Sequence, residues 1–304
     1  MLIAVGGGLG AAVCWAVAAL CASSSSREIG AASTLGWVMS LGLCVIIVPL
    51  ALVGHPSTLS GRVIALLCVA GLSNVLGLLL EYAMLRRVAV GIVTAVASTE
   101  GMVAAVLSSV FGAPLAASTI VVLVAITTGV VLAAAHLDPA PASGSDAETG
   151  LAHKPGPVGL LKRLDTGRTR ATLLVIPVAI LFGITLFSTG RAGAEAPVIW
   201  VLVPARLFGT VLIAAPLASR RKLRISRRTF PLVLGAGLGE IVGLVSYALA
   251  ARHQLAVAAV LGSQCAAITP VAGFFLFGER LRRHQVVGIV LVVAGVVTLS
   301  ALGG

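Results

Sequence analysis

The sequence predicts an all-α integral membrane protein whose ten transmembrane helices form two inverted five-helix repeats. Three observations lead there: apolar runs along nearly the whole chain, too little charge to cover a soluble surface, and residues that match at a fixed offset between the halves. Of 304 residues, 59% are hydrophobic and only 10% charged, with a mean hydropathy of +1.11; about a quarter charged is usual for a soluble domain. An α-helix rises about 1.5 Å per residue, so about twenty apolar residues cross a hydrocarbon core of about 30 Å.

Hydropathy places the spans at 2–22, 33–54, 63–85, 89–111, 117–136, 171–190, 197–217, 231–251, 255–277 and 283–302. Five lie on each side of residues 137–170, which are rich in Pro, Gly and Ser, lack periodicity and read as a flexible loop. The chain therefore divides into a first repeat (1–136), that loop, and a second repeat (171–304). The first span has no Lys or Arg before Arg27 and no convincing cleavage site, so it reads as a retained helix.

The repeat shows at an offset of 166 residues. Ala70-Gly71-Leu72-Ser73-Asn74-Val75-Leu76-Gly77 matches Ala236-Gly237-Leu238-Gly239-Glu240-Ile241-Val242-Gly243. Tyr82-Ala83 matches Tyr247-Ala248 after a one-residue slip, and Phe111-Gly112, Leu115 and Gly129-Val130-Val131 match Phe277-Gly278, Leu281 and Gly295-Val296-Val297. An odd number of spans per unit makes the second unit insert upside down, the plan of many secondary transporters.

Charge gives an orientation. One set of alternate loops carries seventeen Lys and Arg, and the other carries only Arg62, Arg191 and Arg252. The positive-inside bias places the rich set, with loops 137–170 and 219–229, in the cytoplasm and both termini outside. The formal charge of +11 sits in short clusters between apolar runs, which topology and anionic lipid headgroups explain, so nucleic acid is not an expected partner. The five cysteines lie within or at the ends of spans without a CxxC pair, and read as small packing residues.

Ionisable residues at mid-bilayer need partners or water. Glu100, Glu240 and Arg206 fall near the centres of the fourth, eighth and seventh spans. Asn74 takes the place of Glu240 in the first repeat, and Ser98-Thr99-Glu100 aligns with Ser263-Gln264-Cys265. With Trp15, well inside the first span, these are the candidate binding residues: Glu100, Glu240, Arg206, Asn74, Gln264 and Trp15. The carboxylates suit a proton or a cationic solute and Arg206 suits a carboxylate; the plainer alternative is an internal ion pair of Arg206 with Glu240 or Glu100. Glu81, toward the end of the third span, is a fourth candidate, but it is close enough to Arg86 and Arg87 that a plain interfacial pair is its first reading. Gly235, Gly239 and Gly243, four apart, form a face that admits a close neighbouring backbone.

No histidine falls at mid-membrane, so no metal site, general base or cofactor is implied. Gly235-Ala236-Gly237-Leu238-Gly239 lies within a span and follows no strand, which excludes a nucleotide loop.

The turn Phe277-Gly278-Glu279-Arg280-Leu281 followed by Gln285, Gly288 and Gly295 resembles the closing signature of EamA-type proteins of the drug/metabolite transporter superfamily. The resemblance extends to Arg206-Leu207-Phe208, to Val13-Cys14-Trp15 and to the five-plus-five plan. Only the second repeat keeps the signature: the first has Ala113-Pro114 where the second has Glu279-Arg280, and Thr119 where it has Gln285. The resemblance implies alternating-access transport of a small metabolite, amino acid or drug, with Gly278, Glu279, Arg280, Gln285, Gly288 and Gly295 as structural residues. It also implies cytoplasmic termini, against the charge bias, and here the chain's own loops are given more weight.

The expected function is thus secondary transport in the inner membrane, coupled to protons or to solute exchange. Small-molecule substrate and membrane lipid are the expected partners, and a homodimer is left open. The rival reading is a membrane scaffold or sensor whose polar belt is structural. A channel fits less well without a ring of acidic residues.

Overall fold

The computed structural model describes residues 2–53, 59–86, 93, 97–111, 116–134, 157–265, 268 and 283–302. Of these it gives the backbone alone over 157–175 and at a few positions of two other helices, Gln285 among them. Among the described residues every regular element is helical: α1 (Leu2–Ile29), α2 (Ala31–Val53), α3 (Gly61–Leu85), α4 (Glu100–Phe111), α5 (Ala117–Ala134), α6 (Pro157–Glu195), α7 (Val198–Ser219), α8 (Thr229–Gly262) and α9 (Arg283–Leu302).

Six stretches are long and apolar enough to cross a bilayer: α1, α2, α3, Ile176–Glu195 of α6, α7 and α8. Glu100–Phe111, Ala117–Gly129 and Val286–Gly295 are shorter apolar helices. The protein is therefore an all-helical, multi-pass membrane protein. The span count over the described residues is six, not ten; much of 87–99 and of 266–282, where two expected spans fall, lies outside them. α8 holds the whole eighth expected span and the start of the ninth, and departs from helical geometry between them, at Gln254 (φ −149°, ψ 100°). α6 begins at Pro157, inside the stretch expected as a loop. Proline is well placed in a first helical turn, and Leu160, Leu161, Lys162 and Arg163 behind it are good helix formers. Residues 135–156 lie outside the described residues.

Helix boundaries recur at the sequence offset. α1 ends at Ile29 and α6 at Glu195, α2 ends at Val53 and α7 at Ser219, and α5 starts at Ala117 and α9 at Arg283, each pair 166 apart. The turns differ in chemistry. Gly30 turns α1 into α2 at φ +92°, donating its N–H to Ser26 O (3.0 Å), a left-handed cap that glycine adopts without strain. In the second repeat Ala196 caps α6 through Ala192 O (2.8 Å) and Pro197 precedes α7.

Packing follows the repeat. α1 lies along α8 and α3 along α6, so the first helix of each half packs on the third of the other, while α2 meets α7 and α5 meets α9. The described helices of the two halves are thus interleaved. Within α5 and α9, a Cβ at Gly129 would stand 2.7 Å from Gly288 O, so the two backbones meet without side chains between them.

The two loop sets fall at opposite ends of α3. At its C-terminal end Arg27 Nε donates to Leu85 O (3.3 Å), Trp37 Nε1 to Arg224 O (3.0 Å) and Ser226 Oγ to Glu28 Oε1 (2.7 Å). At the other end Arg252 donates to Gly193 O (2.7 Å) and Ala196 O (2.8 Å).

One pair of equivalent glycines separates close packing from composition. A Cβ at Gly71 would stand 2.7 Å from Pro204 Cβ and from the Pro204 carbonyl carbon, whereas one at Gly237 meets nothing closer than Val38 O at 3.5 Å. We predict that Gly71→Ala destabilises the protein by about 1–3 kcal/mol through overpacking. Gly237→Ala should be neutral or slightly stabilising, because alanine favours helix. Thermal unfolding in detergent checks both; equal shifts would contradict the account.

Candidate functional site

Small residues bring α1 against α8, and this contact fixes the first wall of the site. A Cβ at Gly239 would stand 2.8 Å from Cys14 O, and one at Gly243 2.6 Å from Trp15 Nε1. The three glycines of α8 do face a single neighbour, and Trp15 is held against them and not turned to lipid. Its ring lies 6.1 Å from that of Tyr247, tilted by 41°. Tyr247 in turn donates its hydroxyl to Leu186 O at 2.7 Å, tying α8 to α6.

Between these helices lies a cavity of about 60 Å³, room for a few ordered waters. Its wall comes from α1 (Trp15, Ala18, Ala19), α3 (Asn74, Leu78, Glu81, Tyr82), α6 (Phe182, Thr185, Leu186), α8 (Glu240, Leu244), and from Ala97, Glu100 and Cys265. Several of these are equivalents: Ala19 with Thr185, Asn74 with Glu240 and Leu78 with Leu244 at the offset of 166, and Glu100 with Cys265 after the one-residue slip. The cavity therefore lies where matched positions of the two repeats face one another.

Three carboxyl groups reach it, all nearly buried: Glu81 (8% exposed), Glu100 (7%) and Glu240 (8%). Arg206 is fully buried and its Nη2 stands 3.9 Å from Glu240 Oε2. This is a long ion pair and not a hydrogen bond: Arg206 Nε and Nη2 have no hydrogen-bond partner, so the Coulomb attraction of the buried charges is what holds them together. Arg206 Nη1 also approaches Met39 Sδ at 3.3 Å, and a Cβ on Gly42 would stand 2.9 Å from Arg206 Cδ. The guanidinium is thus wedged among α2, α7 and α8. Just beyond it α7 loosens into a π-helical turn, Thr210–Ala214, a local insertion of the kind that accommodates such wedges.

The expected site residues divide accordingly. Glu100, Glu240, Asn74 and Trp15 meet in one cavity. Arg206 does not line it; it sits behind Glu240, which decides between the two ion pairs open from sequence. Gln264 also stands outside the wall: in the turn after α8, its Nε2 donates back to Val260 O of that helix (2.8 Å). Glu81, expected to pair with Arg86 or Arg87, lines the cavity instead. It is five residues from Arg86, about 140° away around a helix of 3.6 residues per turn, and Arg86 is exposed; Arg87 lies outside the described residues. Tyr82 is a wall residue the sequence reading passed over, although its match to Tyr247 in the repeat was the available signal. Among the described residues Asn74 Oδ1 and Tyr82 Oη, both buried, have no hydrogen-bond partner.

The family model for EamA-like transporters matches this chain twice, over residues 2–135 and 169–301. The chain belongs to the EamA-like transporter family. The double match is that of an inverted repeat, and it makes the protein a member of a family of membrane transporters. A solved structure described only as "Crystal structure of protein" aligns with a TM-score of 0.71 and 14% identity over 98% of each chain, a likeness of fold alone. No curated protein sequence matched the chain. Of the EamA-type closing residues, Gly278, Glu279 and Arg280 lie outside the described residues. Gln285 is in the first turn of α9, and Gly288 and Gly295 are buried there.

The Arg206–Glu240 pair gives a stability test. Removing one partner of a buried pair typically costs about 3–5 kcal/mol, because the other charge is left alone. Arg206→Met should therefore lower the melting temperature more than the double variant Arg206→Met/Glu240→Gln does, as read by thermal unfolding in detergent. A double variant at the additive sum would show that the two charges are not coupled.

Proposed function

We propose that this protein is a ten-span secondary transporter of the inner membrane, moving a small metabolite, amino acid or drug-like solute by alternating access, coupled to protons or to exchange of a second solute. The observation that carries this reading is the cavity at the meeting of matched positions from two interleaved, inverted repeats. When two halves of one fold are related in this way, exchanging their conformations turns a cavity open to one side into a cavity open to the other. The walls supply what a solute needs: carboxyl groups at Glu100 and Glu240, an amide at Asn74 and an aromatic face at Trp15. Arg206 acts through Glu240 by holding its charge, and Gln264 supports the end of α8. The basic loops at the C-terminal end of α3 face the cytoplasm in this reading, where anionic headgroups favour them.

A scaffold or sensor requires buried charges to be matched in place, as Arg206 matches Glu240. Glu81 and Glu100 have no such partner among the described residues, and this favours transport.

The test begins with thermal-shift screening of purified protein against amino acids, amines, nucleosides and cationic dyes. A stabilising compound is then followed into proteoliposomes. We expect a pH gradient to speed its flux, and Glu100→Gln to reduce that flux by at least about tenfold, the usual worth of a proton-transfer or charge-assisted group, with helicity and melting temperature retained. Unchanged flux in Glu100→Gln would contradict a working role for the cavity carboxyls.

A further inference from the structure

The cavity's polar groups are unbalanced in a way that specifies the ligand. Glu81 and Glu100 offer carboxyl oxygens and have no cation within 4.0 Å among the described residues, where Arg206 with Glu240 is the one ion pair. Asn74 Oδ1, on the same wall, is a buried acceptor with no donor. Against these acceptors the buried wall donor without a partner is the Tyr82 hydroxyl, while Arg206 Nε and Nη2, also without hydrogen-bond partners, lie behind Glu240 and off the wall. A solute that fits must bring N–H groups and positive charge. Trp15, Tyr82 and Phe182 add aromatic faces, which attract cations.

From this imbalance we propose that the transported solute is a compact organic cation with N–H donors, a primary ammonium or a guanidinium, held by Glu81, Glu100 and Asn74. This rests on the transport reading of the cavity and deepens it by naming the solute class. An ammonium has three donors, matching two carboxylates and one amide oxygen. A quaternary ammonium has charge without donors and leaves Asn74 unsatisfied. An amino acid brings a carboxylate as well, for which the wall offers no cation, since Arg206 stands behind Glu240. Binding exchanges protons: a neutral carboxyl of Glu81 or Glu100 gives up its proton to the open side as it becomes the carboxylate that accepts the ammonium N–H. Proton release and cation binding thus occur at the same oxygens, and mutual exclusion couples the two. The charged and titratable groups facing this pair are Tyr82 on α3, Glu240 and Tyr247 on α8, Cys265, and Arg206 across Glu240.

The experiment uses the full chain in nanodiscs with Trp37→Phe and Trp200→Phe, so that Trp15 reports alone. Benzylamine, benzyltrimethylammonium, benzyl alcohol and benzoate are titrated by fluorescence, and proton release is read by calorimetry in two buffers. Benzylamine is expected to bind at least about tenfold tighter than the other three and to release protons. Glu81→Gln and Glu100→Gln should each weaken it by about tenfold or more, while Glu28→Gln at the helix end leaves it unchanged. Equal binding of benzyl alcohol or benzoate, or benzylamine binding unaltered in both cavity variants, would overturn the assignment. The ranking of ligands on unaltered Glu81 and Glu100 decides even if a cavity variant fails to fold. Benzylamine bound but not carried into proteoliposomes would defeat the transport reading and uphold the cation site. Carriage of benzoate insensitive to Glu81 and Glu100 would do the reverse.

Discussion

Because α1 belongs to the first repeat and α8 to the second, the seam of small residues between them joins the halves by close backbone packing. In lipid, apolar surface gains little by being buried, so helices associate through close van der Waals packing and the contacts it permits. The residues Ala4, Ala11, Ala12 and Ala18 of α1 are all buried, and Gly235, Gly239 and Gly243 admit the stretch from Cys14 to Cys21 of the same helix. Once that contact is set, α3 and α6 make its counterpart from the opposite halves, and the space left among the four helices is the cavity. The site is thus a consequence of how the repeats interleave.

The same seam explains how charge is tolerated at this depth. A carboxyl group within the bilayer requires a partner, a proton or water. Glu240 has Arg206, brought close because α7 lies between α2 and α8 and because Gly42 and Met39 leave room for a guanidinium. Glu81 and Glu100 open on the cavity, whose volume admits water. The two solutions serve different ends: the first pins three helices together, and the second leaves acceptors available to a solute or a proton.

Much of this was legible in the sequence because the repeat carries its own check. An offset of 166 predicted from Gly71 and Gly237 reappears in the ends of α1 and α6 and of α2 and α7, and the gap between the eighth and ninth expected spans coincides with the break at Gln254. Glu100, Glu240, Asn74 and Trp15, which line one cavity, stand out in the sequence because polar or aromatic residues deep in apolar runs are conspicuous. What was not legible is which way a side chain turns. Arg206 and Gln264 are as deep as Glu100, yet one faces α2 and α8 and the other bonds back to the end of α8, which it follows. Glu81, read first as a partner of Arg86 and Arg87 from proximity in sequence, lines the cavity; residues five apart do not share a helix face, which turns it away from Arg86. The start of α6 at Pro157 was hidden by prolines and glycines just before it.

The central claim is that the cavity between the repeats opens to each side of the membrane in turn. The most direct measurement places one cysteine on its wall, Ala97→Cys, in a chain whose five native cysteines are replaced by alanine, and follows its reaction with a membrane-impermeant maleimide added to either side of sealed vesicles. The account predicts labelling from both sides, with a pH gradient raising one rate as it lowers the other. Labelling from one side only, whatever the gradient, would contradict it.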